Sequence, residues 1–94
     1  MVTLRIEHPV PSFEGWKRAF ESDPLHRQAS GVRRYRVLRP ADDPKFVTVD
    51  LDFDSMGEAE AFRTALHGLW RSVEGTVMLS PRAQILEVVE GREY

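Results

Sequence analysis

Apolar and polar residues alternate from Thr3 to His8, with Leu4, Ile6 and His8 on one side and Thr3, Arg5 and Glu7 on the other. A period of two marks a strand buried on one face. The period then changes, and Phe13, Trp16, Ala19 and Phe20 recur at helical spacing. Val32 to Leu38 and Phe46 to Phe53 read as two more strands, Met56 to Val73 as a long helix, and Gln84 to Glu90 as a last strand. The order strand, helix, strand, strand, helix, strand predicts one α+β domain. Its four-stranded antiparallel sheet carries both helices on one face, because each crossover returns to the sheet with right-handed sense.

Turn and cap residues punctuate this pattern. His8-Pro9-Val10-Pro11 closes the first strand, since proline gives a ladder no N–H and restricts the residue before it. Ser12 suits an N-cap. Asp23-Pro24 predicts a second cap with proline at the first helical position, and a short helical segment from Leu25 to Ala29 that stops at Gly31. Pro40-Ala41-Asp42-Asp43-Pro44 predicts a hairpin loop centred near Asp42. Ser55 and Glu58 have the spacing of a capping box. Behind them Met56, Ala59, Phe62, Leu66, Leu69, Trp70 and Val73 share one helical face. Gly68 weakens this helix, Gly75 ends it, Thr76 to Arg82 connects onward, and Gly91 to Tyr94 forms a tail. With no repeat or linker, residues 1–94 form a single domain.

The two faces of the predicted sheet differ. Leu4, Ile6, His8, Tyr35, Val37, Val47, Val49, Leu51 and Phe53 make a bed for the helices. Opposite them lie Thr3, Arg5, Glu7, Arg34, Arg36, Thr48, Asp50 and Asp52. A hairpin centred at Asp42 sets Arg34 near Asp50 and Arg36 near Thr48, so opposite charges meet across strands. Either this face is solvated, with ion pairs worth about 0–1 kcal/mol each, or a second sheet packs on it and the charges pair between subunits.

Composition narrows the classes. A chain of 94 residues buries only about 60–65% of its unfolded surface, so association is a common source of added stability. The net charge of -2 gives no electrostatic reason for nucleic acid or an anionic membrane as partner. The absence of cysteine excludes disulfides, thiolate metal sites and a cysteine nucleophile. The first residues carry charges where a signal peptide needs an apolar run, and no stretch approaches a membrane span, so a cytoplasmic location is expected. An RNA-recognition domain shares the element order but stacks bases on aromatics of its open sheet face. Here that face holds Thr48, Asp50 and Asp52, which would repel phosphate.

The run from Glu7-His8-Pro9-Val10-Pro11 through Trp16 to Phe20, then Gly31-Val32-Arg33-Arg34-Tyr35, Asp43-Pro44-Lys45-Phe46-Val47 and the helix with Ala61-Phe62, resembles the dimeric α+β barrel superfamily of antibiotic-biosynthesis monooxygenases. The resemblance implies a ferredoxin-like subunit whose sheet packs face to face with that of a second copy. A homodimer is then the expected assembly, and the Arg/Asp face its interior. One fold hosts many activities, and members range from cofactor-free oxygenases and haem degraders to proteins with no known reaction. Haem-degrading and quinone-forming members commonly rely on an asparagine with a tryptophan. This chain has no asparagine, so that pair does not carry over.

The candidate chemistry therefore rests on individual residues. His8 ends the first strand near Trp16, where it serves as a general base or bonds a backbone group beside the prolines; the structural role is the commoner one. His67 lies beside the Leu66/Trp70 stripe, and His26 lies where it would guard a pocket mouth; both positions are more often solvated. The histidines lack metal-ligand spacing and no cysteine completes a site, so no metal is expected; no cofactor is expected either. Trp16 and Trp70 are core residues by pattern and would wall any cavity between helices and sheet. Tyr35 points from the second strand toward the helices, where it either orients a substrate oxygen or merely bonds a helix residue.

Three functions fit. The first is a homodimer binding a small apolar or aromatic molecule through Trp16, His8, Tyr35 and Trp70. The second is a cofactor-independent monooxygenase of a polycyclic phenol, with His8 or His67 as base and Tyr35 as oxyanion donor. The third is a purely structural or interaction role.

Overall fold

In the computed structural model the elements run β1 (Val2–Pro9), α1 (Phe13–Glu21), β2 (Val32–Leu38), β3 (Phe46–Phe53), α2 (Met56–Val73) and β4 (Arg82–Glu87). The structure describes residues 1–73 and 79–94. The expected helix end at Gly75, the start of the Thr76–Arg82 connection and the side chain of Val73 lie outside what is described. The sheet order is β2-β3-β1-β4 with every neighbouring pair antiparallel, which is the ferredoxin-like arrangement. The strand β4 starts and ends earlier than the pattern predicts, at Arg82 and Glu87 rather than at Gln84 and Glu90.

Pairing partners share a face, so the register decides which side chains meet the helices. Leu4 opposes Leu51, Ile6 opposes Val49 and His8 opposes Val47, and all six are buried. Ala59, Phe62, Leu66 and Trp70 of α2 close the core from above, with Phe62 5.6 Å from Phe53 between ring centres. Met56, on the same predicted stripe, is exposed in the first turn of α2. α2 lies close on β1, β3 and β4, whereas α1 stands farther off the sheet. Trp16 is the only buried residue of α1.

The caps form as their sequences predict. Ser12 Oγ accepts the Gly15 N–H at 3.2 Å, and Ser55 Oγ accepts that of Glu58 at 3.2 Å. The Ser55 hydroxyl in turn donates to Glu58 Oε1, so the carboxylate braces the cap side chain.

Two local expectations fail. Residues 24–31 are a succession of turns, not a helical segment. Asp23 and His26 both take positive φ, 52° and 51°, which interrupts any right-handed helix. Asp23 Oδ1 accepts the Arg27 N–H at 2.9 Å, and the Ser30 hydroxyl donates to the Leu25 carbonyl at 2.8 Å. Side chains thus satisfy backbone groups that a helix would have paired. Gly31 ends the turns at φ 103°, where a Cβ would lie 2.6 Å from Glu58 Oε2.

The hairpin register also differs. Leu38 pairs with Thr48, so the loop is centred on Asp43, one residue later than the turn formers indicate. Arg34 therefore opposes Asp52, and Arg36 opposes Asp50. Arg34 Nε meets Asp52 Oδ2 at 2.7 Å, and Thr3 Oγ1 donates to the other oxygen of Asp52 at 2.7 Å. Arg5 grips Asp50 with two hydrogen bonds of 2.8 and 2.9 Å, and Arg36 approaches it at 3.5 Å. Asp50 and Asp52 thus find their partners within the chain. Asp50 is only 5% exposed, and its carboxyl is held below its ordinary range chiefly by the Arg5 hydrogen bonds.

Candidate functional site

Because α1 stands off the sheet, a cavity of about 280 Å³ remains between the two helices and the strands. Ile6, His8, Val49 and Leu51 form its floor. Trp16 and Phe20 wall it from α1, and Phe62, Leu66 and Trp70 from α2. Its mouth is made by the turns after α1, through Ser22, Asp23, Leu25 and Arg27. Among the described residues, the charged and hydroxyl-bearing side chains that line it, Ser22, Asp23 and Arg27, sit at that mouth.

His8 is 1% exposed because alternation turns it inward at the last inward position of β1. Its ring lies 5.8 Å from that of Trp16. Nδ1–H donates to the Pro9 carbonyl at 3.3 Å, which leaves Nε2 as the acceptor of the neutral ring. Burial lowers its pKa below the usual 6.5, only partly opposed by the Pro9 hydrogen bond. At neutral pH His8 is therefore an uncharged base inside an apolar chamber.

This depressed pKa links to stability. The folded state disfavours the proton that the unfolded chain accepts near 6.5. Stability from this source is complete above about pH 6.5 and is lost as pH falls through the lower folded value. Asp50 titrates below an ordinary 3.8, so a fall between pH 7 and about pH 5 isolates the histidine. Urea unfolding at those two pH values is expected to show a loss in the native chain and a smaller one in His8→Gln.

An aromatic file runs outward from His8. Trp16 stacks on Phe20 at 5.1 Å with planes 24° apart, and Phe20 meets the edge of Tyr35 at 5.1 Å. Arg27 caps the file, its guanidinium carbon 3.8 Å from the Phe20 ring centre.

Of the residues singled out from the sequence, His8, Trp16 and Trp70 meet in this cavity and Tyr35 does not. Tyr35 lies on the helix-facing side but on the edge strand β2, where it touches the end of α1 through Phe20 and stays 48% exposed. His67 is exposed on α2 with its ring 5.4 Å from Trp70, away from the cavity lining. His26 is an exposed residue of the mouth turns, flanked by Leu25 and Arg27, which do line it. Arg27 is the residue that sequence reasoning missed. Its signal is the Asp23–Arg27 spacing of four directly after an aromatic helix. Among the described residues no cluster of His, Cys, Asp or Glu could hold a metal ion, and no helix is long and apolar enough to cross a membrane.

No protein-family model matches the chain, and no curated protein sequence is significantly similar to it. Solved structures do match. A candidate antibiotic biosynthesis monooxygenase of Nitrosomonas europaea superposes with a TM-score of 0.72 at 21% identity, over 96% of this chain and 100% of that one. SnoaB, a cofactor-independent oxygenase from Streptomyces nogalater, gives 0.70 at 15% identity, over 99% and 94%. A dimeric ferredoxin-like protein from an uncultured marine organism gives 0.67 at 8% identity, over the full length of both chains. At these identities the likeness establishes the fold. The chain has the ferredoxin-like α+β fold of proteins named for antibiotic biosynthesis monooxygenases, as the sequence resemblance implied.

Proposed function

We propose that this chain forms a homodimer through its Arg/Asp sheet face and binds a small aromatic molecule in the cavity of each subunit. The observation that carries the binding reading is the apolar chamber of about 280 Å³ with Trp16 and Trp70 in its walls and His8 in its floor. Ligand sites are concave and mostly apolar, with a few convergent polar groups, and span roughly 300–1,000 Å³. This cavity is at the small end, which suits one or two fused rings. The homodimer is supported by the dimeric ferredoxin-like protein of the same fold.

A second reading is favoured by one observation, the neutral His8 in an apolar site beside the likeness to a cofactor-independent oxygenase. In it His8 Nε2 takes the proton of a bound phenol. The electron-rich anion then reduces dioxygen directly; one oxygen atom enters the ring as a carbonyl and the other leaves as water. Tyr35 has no part in this chemistry, because it lies outside the cavity.

Titration with naphthol tests the binding reading through tryptophan fluorescence. Saturable quenching is expected, weakened in folded Trp16→Phe and His8→Ala variants. Absence of saturable quenching across a series of hydroxylated one- and two-ring aromatics would leave assembly as the function. Product formation and oxygen uptake with the same series separate catalysis from binding alone.

A further inference from the structure

We propose that Arg27 makes the cavity selective for aromatic molecules with an anionic group, such as a carboxylate, at one end, while His8 receives a hydroxyl at the other. This rests on the reading of the cavity as a ligand site.

Among the described residues and apart from the indole N–H groups of Trp16 and Trp70, the polar side chains of the chamber are segregated. His8 lies at its floor, and Ser22, Asp23 and Arg27 lie at its mouth. Between them run Trp16 and Phe20, with successive ring distances of 5.8 and 5.1 Å from His8 outward. The histidine of the floor and the arginine of the mouth thus lie at opposite ends of this aromatic file.

Arg27 is built in rather than draped over the surface. Its side chain is 16% exposed. Nη1 donates to the Phe20 carbonyl at 2.8 Å and lies 3.4 Å from Asp23 Oδ1. The guanidinium face rests on Phe20, and Tyr35 stands 5.1 Å away. A guanidinium carries five N–H donors in a planar fork. Capping the last turn of α1 uses only Nη1; among the described residues no partner is bound to Nε or Nη2.

Asp23, 3.4 Å from Nη1, offsets part of this charge while its Oδ1 accepts the Arg27 backbone N–H at 2.9 Å, and the Nε and Nη2 edge is what remains for a ligand. The remaining guanidinium edge is held in place by the aromatic contact and the Phe20 carbonyl, so little side-chain freedom is left to lose on binding. Apolar surroundings strengthen a charge-assisted hydrogen bond made there.

Fluorescence titration of the intact chain with hydroxynaphthoate, its methyl ester and naphthol tests this. Hydroxynaphthoate is expected to bind at least about tenfold more tightly than its ester, as one charge-assisted pair of roughly 1.5–3 kcal/mol dictates. In folded Arg27→Met, which retains an apolar stem over Phe20, the acid should bind no better than the ester. Arg27→Lys should restore part of the difference. Equal binding of acid and ester by the native chain would overturn the proposal while leaving the cavity a ligand site, and so would a preference that survives Arg27→Met. If none of the three probes quenches saturably, the cavity reading fails and this inference with it.

Discussion

Replacing Trp16 with alanine is expected to cost about 3–5 kcal/mol of unfolding free energy, a large share of the roughly 5–15 kcal/mol that holds a small domain folded. The reason is positional. Trp16 is the one buried residue of α1, and α1 has few other close contacts with the sheet. Truncation removes its contacts with His8, Phe13 and Phe20 together. It also joins the vacated volume to a cavity that is already present, so the site has little means of collapsing. Phe62→Ala provides the comparison. It removes a ring of similar burial, yet Ala59, Leu66 and Trp70 still seat α2. The expected cost is in the same range for both, with a loss of α1 signals specific to Trp16→Ala. A thermal midpoint lowered by only a degree or two would mean that α1 is anchored by something other than this side chain.

The features that were legible in the sequence are those decided by local periodicity. Alternation identified which side of β1 and β3 meets the helices, because a strand has only two sides and one carries Leu4, Ile6, Val49 and Leu51. Ser12 and the Ser55/Glu58 pair signalled their caps because the hydrogen bonds involved span only three residues. The misread features each depend on something nonlocal. Asp23-Pro24 is compatible with a helix start and with a turn; the choice fell to the positive φ of Asp23 and His26 and to the docking of Arg27 on Phe20. The hairpin centre moved by one residue to Asp43, and with it the partners of both arginines. That register brings Asp50 between Arg5 and Arg36, which no single strand records.

The candidate site divides the same way. His8, Trp16 and Trp70 could be placed in one layer because each lies on an inward stripe of its own element. Tyr35 obeys its stripe too, but stripe membership does not say whether a strand is central or at an edge. On the edge strand β2 it is reached by Phe20 at the end of α1, and the ring stays half exposed. Arg27 escaped notice because charged residues after a helix are ordinarily solvated, and only the fold bends the turns back over the aromatic file.

The charged sheet face offers the other large expected effect. If the proposed homodimer forms through this face, Arg36→Asp should convert it into monomers at micromolar concentration and lower its thermal midpoint. Two environments predict different magnitudes. On a solvated face the Arg36–Asp50 approach of 3.5 Å, with Arg36 largely exposed, is a surface pair worth about 0–1 kcal/mol. Its reversal there would leave assembly unchanged. Between two packed sheets the substitution sets a second acid directly opposite Asp50, which is already buried and has only Arg5 left to neutralise it. An uncompensated charge in such a setting costs about 3–5 kcal/mol, at each of two symmetry-related positions in a twofold dimer. Light scattering distinguishes the two: a native dimer and a monomeric variant support the barrel interface. A native chain that is monomeric at the same concentration, or a variant that dimerises undisturbed, would place this face in water and require the dimer to be built elsewhere.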